Sequence, residues 1–169
     1  GAELSIKSIV DAAVKFTFEK CKWKKGKSAT GDQGAASATG DYGAASATGY
    51  QGAASATGDY GAASATGNQG AASATGNQGA ASATGYQGAA SATGYRGAAS
   101  ATGKDSIALA AGYGCKAKGA IGCWIVLAER GEWDGDTYPI KEVKAFEVDG
   151  EKVKADTWYM LVNGQLKEV

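Results

Sequence analysis

A nine-residue repeat occupies most of the chain and limits its possible folds more than any other feature. From Ala29 to Ser100 the sequence consists of eight nonapeptides of the form Ala-Thr-Gly-x-x-Gly-Ala-Ala-Ser, in which only the two residues after Thr-Gly vary. Two degenerate units, ATGKDSIAL and AAGYGCKAK, follow them. Self-similarity at a fixed short period indicates stacked structural units rather than a conventional globular core.

Each repeat divides into a turn and a short strand. The Gly-x-x-Gly segment, such as residues 40–43, predicts a turn, because glycine adopts positive φ without a steric penalty and Asn or Asp tolerates it. The following Ala-Ala-Ser-Ala-Thr segment, such as residues 44–48, predicts a strand. Helix is the rival because alanine is the best helix former, but two glycines per unit would cost roughly 2 kcal/mol. Disorder is disfavoured because a flexible linker requires only composition, whereas these copies keep their order.

The ninth unit indicates which strand residues face the interior. Residues 106–110 read Ser-Ile-Ala-Leu-Ala, so large residues replace the first and third strand positions while alanine remains at the second and fourth. Because side chains alternate between the two faces of a strand, the second and fourth positions are predicted to point inward. An alanine interior favours a two-sided coil of two repeats over a three-sided coil, which would leave a void. Ten units then predict about five coils, a stack roughly 24 Å long.

The repeats predict an all-β fold, a parallel β-solenoid of the two-sided β-roll type with 18 residues per coil and a cap at each end. Residues 28–118 are assigned to the nonapeptide-repeat solenoid. Residues 1–27 are expected to form an N-terminal helical cap and connector, because apolar residues from Ile6 to Phe18 recur at helical spacing. A helix there would cover the open edge of the first coil, which otherwise invites pairing with another chain.

The C-terminal part of the chain has a different composition and predicts a second cap. Residues 119–169 contain strand-like apolar segments and the large side chains that the repeats lack. The pairs Asp149-Gly150 and Asn163-Gly164 are typical of tight hairpin turns. We therefore expect a small antiparallel β cap over residues 119–169.

No set of residues in the sequence points to catalysis, a cofactor or a metal. The chain has no histidine, which removes the commonest general base and the commonest metal ligand. Cys21, Cys115 and Cys123 lack metal-ligand spacing and are interpreted as reduced thiols. Calcium-binding β-rolls need an aspartate in each repeat, and only three repeats have one. One group of carboxylates surrounds two glycines and is interpreted as a solvated loop: Glu129, Glu132, Asp134 and Asp136.

Charge and hydropathy restrict the expected partners and location. The chain contains 17 basic and 17 acidic residues, and no basic stripe follows the repeats, so we expect no nucleic-acid partner. The lysines of residues 20–27 are interpreted as a solvated connector. Because no apolar stretch reaches about 18 residues, we expect no membrane-spanning segment and no membrane partner. With no visible signal peptide, the expected location is intracellular (cytoplasmic) or virion-associated.

Two families resemble this sequence. Residues 106–110, followed by a small residue and glycine, resemble the β-roll heads of trimeric autotransporter adhesins, although those repeats are longer. The chain is more similar to phage- and prophage-associated nonapeptide-repeat proteins of unknown function, over residues 4–18, the array itself, residues 103–129 and residues 148–169. Members usually carry serine at Gly34 and its equivalents, and often a further N-terminal domain. The resemblance implies a β-solenoid of phage origin and implies no activity.

The variable turn residues are the first candidate site. They would stand at the corners of the coils, where a rigid stack presents them at regular spacing to a protein or glycan partner. Stacked tyrosines at strand spacing suit such a contact, because an aromatic ring offers a large apolar face with a polar tip. The candidate corner residues are Tyr42, Tyr50, Tyr60, Tyr86, Tyr95 and Arg96.

The outward strand residues are the second candidate site, for self-association. Ordering one residue costs about 1–2 kcal/mol of backbone entropy, whereas burial of one alanine methyl group contributes roughly 0.8 kcal/mol. Burial of two inward alanines per repeat therefore does not offset the entropy lost on folding. Contact between copies, as a dimer or a trimer, would supply further stabilisation. The candidate face consists of Ser37, Thr39, Ser46, Thr48, Ser55, Thr57, Ser64, Thr66, Ser73 and Thr75.

These patterns favour a non-enzymatic structural or interaction module that forms a homo-oligomer. Two alternatives remain open. A flat, uncharged array of Ala, Ser and Thr also suits an ice- or surface-binding protein. The uniformity of the copies also fits a designed or consensus repeat scaffold.

Overall fold

The computed structural model describes residues 27–169, which form fifteen β-strands and no helix. The N-terminal helical cap expected over residues 1–27 falls almost wholly outside the described residues. The fold class is confirmed, because the repeats stack as a parallel two-sided β-solenoid. Successive strands alternate between two sheets, so each pair of repeats makes one coil.

The odd-numbered strands of the solenoid form one sheet, here called the odd sheet, in the order β1-β3-β5-β7-β9-β11. All of its neighbouring solenoid strands are parallel. The strands are β1 (Lys27–Thr30), β3 (Ala44–Thr48), β5 (Ala62–Thr66), β7 (Ala80–Thr84), β9 (Ala98–Ala101) and β11 (Lys116–Gly119).

The even-numbered strands form the opposite sheet, here called the even sheet, in the order β2-β4-β6-β8-β10-β12. They are also parallel to one another. The strands are β2 (Ala35–Thr39), β4 (Ala53–Thr57), β6 (Ala71–Thr75), β8 (Ala89–Ala92), β10 (Ile107–Ala110) and β12 (Trp124–Arg130).

The coil has the predicted length, but the stack is longer than predicted. Ala36 pairs with Ala54, which confirms 18 residues per coil. Twelve parallel strands make six coils, so the expected five was wrong. The ten units supply β2 to β11, and the stack gains one strand at each end. At the N-terminal end β1 pairs in parallel with β3. At the C-terminal end β12 pairs in parallel with β10, with Ile107 opposite Trp124. This last coil omits one residue of the period, and the sequence there no longer looks like the repeat.

Alanine methyl groups form the core of the solenoid. The second and fourth strand positions are buried in every repeat, as predicted, and Ala47, Ala65 and Ala83 have no solvent exposure. The last coil replaces these alanines with Ile125 and Leu127, which are also buried. The interior is therefore one methyl layer thick along the repeats and widens only at the C-terminal end.

The two glycines of each turn have different roles. At Gly67 φ is +134°, and a Cβ atom would lie 1.9 Å from the carbonyl oxygen of Gly49 in the preceding coil. Stacked coils approach one another so closely here that only glycine fits. The second glycine, such as Gly70, is free of positive φ, and the nearest atoms to an added Cβ would be the Cβ of Ala65 at 3.3 Å and the carbonyl oxygen of Gly67 at 3.4 Å.

Side chains do occupy the second glycine position in the last coils. The Ser106 hydroxyl accepts a hydrogen bond from the Gly88 N–H (2.9 Å) and donates one to the Gly85 carbonyl (3.0 Å). Cys115 and Cys123 hold the equivalent positions in later turns, and both are buried. A small polar side chain at this position therefore bonds one coil to the coil before it.

Hydrogen bonds between turns reverse direction along the stack. In the first turns the N–H of the second variable residue donates to the preceding coil, as the Gln51 N–H does to the Asp32 carbonyl at 2.6 Å. From the fifth repeat onward the same N–H donates to the following coil, as the Gln69 N–H does to the Tyr86 carbonyl at 2.7 Å. The reversal accompanies positive φ at the second variable residue, in Gln69, Gln78, Gln87, Arg96 and Asp105.

Antiparallel strands end both sheets. The strand β13 (Ile140–Glu147) pairs with β12, and the hairpin β14 (Tyr159–Val162) and β15 (Gln165–Glu168) pairs with β11 through Ala117 and Tyr159. The C-terminal antiparallel cap thus begins after β12. Its sheets continue those of the solenoid, and Val148, Val153 and Leu161 close the core.

One of the two hairpin predictions in this cap is confirmed. Asn163 and Gly164, both with positive φ, form the turn between β14 and β15. The other was wrong, because no strand follows Asp149-Gly150 until β14. The Asp149 carboxylate instead accepts hydrogen bonds from three following backbone N–H groups, each 2.9 Å long. It organises a loop that runs over the last coil.

Because the two glycines of a turn have different roles, replacing each with serine should lower the stability by different amounts. Gly67→Ser should lower the free energy of unfolding by about 3 kcal/mol or more, because strained φ alone costs 1–3 kcal/mol and the added Cβ overlaps Gly49. Gly70→Ser should change stability by less than about 1 kcal/mol, because Ser106 shows that serine fits this position. Urea unfolding followed by circular dichroism measures both. Equal losses in the two variants would contradict the assigned roles.

Candidate functional site

The solenoid aligns its variable residues in two columns, one along each edge. The pairs 41–42, 59–60, 77–78, 95–96 and 113–114 lie along one edge, here called the tyrosine edge. The intervening pairs lie along the other, here called the glutamine edge. This division places the candidate corner residues Tyr42, Tyr60, Tyr95 and Arg96 on the tyrosine edge, and Tyr50 and Tyr86 on the glutamine edge.

Side-chain amides form a ladder along the glutamine edge. Gln33, Gln51, Gln69 and Gln87 are joined in sequence by hydrogen bonds of 3.4, 3.1 and 3.3 Å. Such ladders stabilise stacked strands, because each amide both donates and accepts. Tyr50 and Tyr86 are exposed here, but the coil carrying Asn68 separates them. This edge holds the coils together and does not gather its tyrosines.

The tyrosine edge does gather aromatic rings. Near the first coils Tyr42 and Tyr60 stack with ring centres 5.1 Å apart and planes 8° from parallel. In the next coil the Asn77 amide donates to the Asp59 carboxylate at 3.1 Å. Near the last coils Tyr95 stacks on Tyr113 at 5.5 Å. The coil spacing thus creates two separate tyrosine stacks.

A loop from the cap completes the second stack. Tyr138 packs against Tyr113, with ring centres 4.3 Å apart. Trp133 and Tyr138 form a T-shaped contact with ring centres 5.1 Å apart, and Trp133 keeps 56% of its surface exposed. These rings line a cleft of about 210 Å³, here called the aromatic cleft. Its complete lining is Thr93, Gly94, Tyr95, Gly112, Tyr113, Arg130, Trp133, Thr137 and Tyr138.

Tyr95 is the only aromatic residue of this cleft that the sequence predicted as a candidate site residue. Tyr113 stands 18 residues after Tyr95, so the repeat period itself could have placed it in the stack. Trp133 lies in a segment interpreted only as a solvated loop, and Tyr138 begins a segment (residues 138–148) interpreted only as a half-buried strand of the cap. No periodicity connects either residue to the repeats. The fold of the cap alone brings them to this edge.

Arg130, at the end of β12, anchors the loop. Its Nε donates to the Ala111 carbonyl at 2.8 Å, and its Nη1 donates to the Tyr138 carbonyl at 2.9 Å. The planar guanidinium is thereby fixed between the sheet and the loop, where it lines the aromatic cleft.

Asp134 shapes the tip of the loop. Its carboxylate accepts hydrogen bonds from the backbone N–H groups of Thr137 (2.8 Å) and Asp136 (3.0 Å). These two bonds, the one from Thr137 foremost, hold the pKa of the Asp134 carboxyl below its ordinary value. Glu132 and Asp136 are exposed beside it. Three of the four carboxylates expected in a solvated loop are thus at the surface, and Asp134 has a structural role. The expectation was wrong for Glu129, which lies half-buried in β12 and accepts a hydrogen bond from the Gly164 N–H at 2.7 Å.

The outward Ser and Thr residues divide between two opposite faces. The alanine core separates the faces, so these residues form two surfaces rather than one. The even-sheet face carries Ser37, Thr39, Ser55, Thr57, Ser73 and Thr75. The odd-sheet face carries Ser46, Thr48, Ser64 and Thr66.

A shallow groove runs along the odd-sheet face. Its volume is about 550 Å³, and columns of alanine and serine from β3, β5, β7 and β9 line it. Trp158 closes its C-terminal end, with the Lys116 and Lys118 ammonium groups 5.0 and 5.3 Å from its ring centre. Lys27, the first described residue, lines the other end.

The even-sheet face ends in an apolar patch. Ile107 and Trp124 are adjacent in the register and keep 46% and 44% of their surfaces exposed. Leu109 and Val126, also adjacent, are half-buried beside them. The small-residue face of the repeats therefore continues without a charged side chain into four large apolar side chains.

The two cysteines among the described residues are parts of the core. Burial is the largest effect on Cys115 and raises the pKa of its thiol. Its Sγ donates to the Gly94 carbonyl at 3.0 Å, and the Cys123 Sγ donates to the Gly103 carbonyl at 2.7 Å. Within residues 27–169 no three His, Cys, Asp or Glu side chains group together as metal ligands would.

No protein-family model, curated protein or solved structure matches the chain. Over residues 27–169 no helix has the length and apolar character needed to cross a membrane. The surfaces described above are therefore the basis for any functional proposal.

The Asp134 contacts predict an acid-sensitive loop. Because the folded pKa is lowered, ionised Asp134 stabilises the loop above the ordinary aspartate pKa of about 3.9, and this stabilisation is lost as the pH falls through the lower folded value. The Trp133 indole N–H resonance should shift over that range in NMR spectra. Asp134→Asn should remove the shift, and Asp136→Asn should leave it. An unchanged titration in Asp134→Asn would contradict the assignment.

Proposed function

We propose that this protein is a non-enzymatic structural and interaction module. It acts as a rigid β-solenoid that self-associates through its even-sheet face and presents its tyrosine edge to a partner. The sequence resemblance supports a phage-related, virion-associated setting for this role.

The apolar patch on the even-sheet face is the observation that carries the proposal. Exposed contiguous apolar side chains on a protein surface mark contact sites. Here Ile107 and Trp124 extend a face that is flat and free of charge along the repeats, and the exposed Glu147 of β13 lies opposite Trp124 on the far side of the patch. A second sheet can approach such a face closely, because its largest repeated side chains are serine and threonine.

The weak interior of the repeats supplies the physical motive. Each repeat buries two alanine side chains, which contribute far less than leucine or isoleucine would. Burial of the outer face against another copy adds apolar contact without any change in the interior. A face-to-face dimer and a trimer both satisfy this need, and both remain proposals.

Rigidity follows from the bonding between coils. Sheet hydrogen bonds join the coils along both faces, turn hydrogen bonds join them along both edges, and the glutamine ladder adds a further column. Residues on the tyrosine edge are therefore held at a constant spacing of about 4.8 Å per coil. Because these side chains are already ordered, they would lose little conformational entropy when a partner binds them.

Ice or surface binding is the second candidate. Threonines of the even sheet stand one per coil in register, as Thr39, Thr57 and Thr75 do. A regular row of hydroxyl and methyl groups suits an ordered water surface. Thermal hysteresis of the purified protein tests this candidate, and its absence would rule it out.

Charge on the even-sheet face should break the oligomer. Ser55→Lys with Ser73→Lys places two ammonium groups on this face, where a second copy would have to desolvate them. Light scattering should then report a single chain of 16.9 kDa, whereas the unchanged protein should report a multiple of it. Ser46→Lys with Ser64→Lys is the matched control, because these serines hold the same positions on the opposite face.

Two results would contradict the proposal. A 16.9 kDa species for the unchanged protein at micromolar concentration would exclude self-association. Dissociation of the odd-sheet variant with an intact even-sheet variant would show that the wrong face was chosen. Circular dichroism of both variants verifies that the solenoid itself is retained.

A further inference from the structure

We propose that the aromatic cleft binds the ring of a neutral saccharide. The inference rests on the interaction role proposed above for the tyrosine edge and names the chemical class of its ligand. It concerns the C-terminal end of the edge, where the loop carrying Trp133 and Tyr138 meets the Tyr95–Tyr113 stack.

The aromatic walls match the apolar face of a sugar ring. The Trp133 and Tyr138 rings meet at an interplanar angle of 61°. More than half of the Trp133 surface remains exposed, although tryptophan is usually well buried. An exposed indole beside tyrosine rings offers a stacking surface for C–H groups, and tyrosine hydroxyls offer hydrogen bonds at its rim.

The charges around the cleft favour a neutral ligand. The Arg130 guanidinium lines the cleft and repels a cation, which argues against the ammonium ligands that aromatic cages often bind. Glu132, Asp134 and Asp136 flank Trp133 on the outside and repel a phosphate chain, which argues against nucleic acid. A ligand with hydroxyl groups and no net charge avoids both penalties.

The size of the cleft favours a single ring. Its volume of about 210 Å³ lies below the roughly 300–1,000 Å³ of sites for drug-sized molecules. A proline-rich peptide would need an extended aromatic groove, and the coil of Asn77 and Gln78, which carries no aromatic ring on this edge, separates the Tyr42–Tyr60 stack from this cleft. Thr93 and Thr137 line the cleft and supply hydroxyl groups of the kind that bind sugar hydroxyls.

The cleft is also built to keep its shape. Two backbone carbonyls fix Arg130, and Asp134 bonds fix the loop tip. Preorganised walls reduce the entropy lost on binding, which matters for a small ligand with few contacts.

NMR titration with methyl glycosides of glucose, galactose, mannose and N-acetylglucosamine tests the inference, together with a printed array of neutral glycans. The indole N–H resonance of Trp133, assigned by its disappearance in Trp133→Phe, should shift with a dissociation constant of about 1 mM for at least one glycoside. Trp133→Ala and Tyr138→Ala should each weaken binding by about tenfold, measured on the array. Tyr42→Ala, in the other tyrosine stack, is the matched control and should leave binding unchanged.

Several outcomes would overturn the inference. These are no response to any glycoside or array glycan, shifts confined to the Trp124 or Trp158 resonances, and equal loss in Tyr42→Ala. A response to a proline-rich peptide in place of every sugar would assign the cleft to another class of ligand. The oligomer-breaking variant, Ser55→Lys with Ser73→Lys, should bind the same sugar as the unchanged protein. If the unchanged protein self-associates but binds no sugar, the result therefore counts against this inference alone and leaves the proposed self-association intact.

Discussion

The short distance between the two sheets of the coil determines most of this structure. Alanine is the largest side chain at the inward positions of the repeats, so the sheets face each other across one layer of methyl groups. A coil this thin needs only two strands and two tight turns, and its turns then pass very close to those of the next coil. Gly67 shows the consequence, because any side chain there would overlap the Gly49 carbonyl. The thin coil therefore requires both alanine in the core and glycine at the first turn position.

A thin interior leaves only the surface for variation. The core of the eight regular repeats contains no side chain larger than alanine, and every difference between those repeats falls on the two variable turn residues at the edges. The two edges use this freedom differently. Gln33, Gln51, Gln69 and Gln87 bond to one another and reinforce the stack, whereas the tyrosines of the opposite edge stack by ring contact and stay accessible. One edge is thus structural, and the other supports the proposed role in binding.

The solenoid changes gradually into its cap. Ser106 and Cys115 fill the second glycine position and bond to the coil before them, and Ile125 and Leu127 then replace alanine in the core. The wider core of the last coil allows antiparallel strands to attach to both sheets. The loop between β12 and β13 returns over the tyrosine edge, where Arg130 fastens it. The aromatic cleft exists because the transition happens at this edge.

The sequence by itself determined the two-sided coil, its 18-residue length and the inward alanines. The period and the glycine spacing are local signals that the eight regular copies repeat, and Ile107 and Leu109 of the ninth unit mark the outward positions. Only the tertiary structure decided what depends on contacts between distant residues. It placed Trp124 in a sixth coil, made Asp149 a loop organiser, and divided Ser55 and Ser64 between opposite faces. It also joined Trp133 and Tyr138 to the tyrosine stack, because non-repetitive residues have no period from which their neighbours can be inferred.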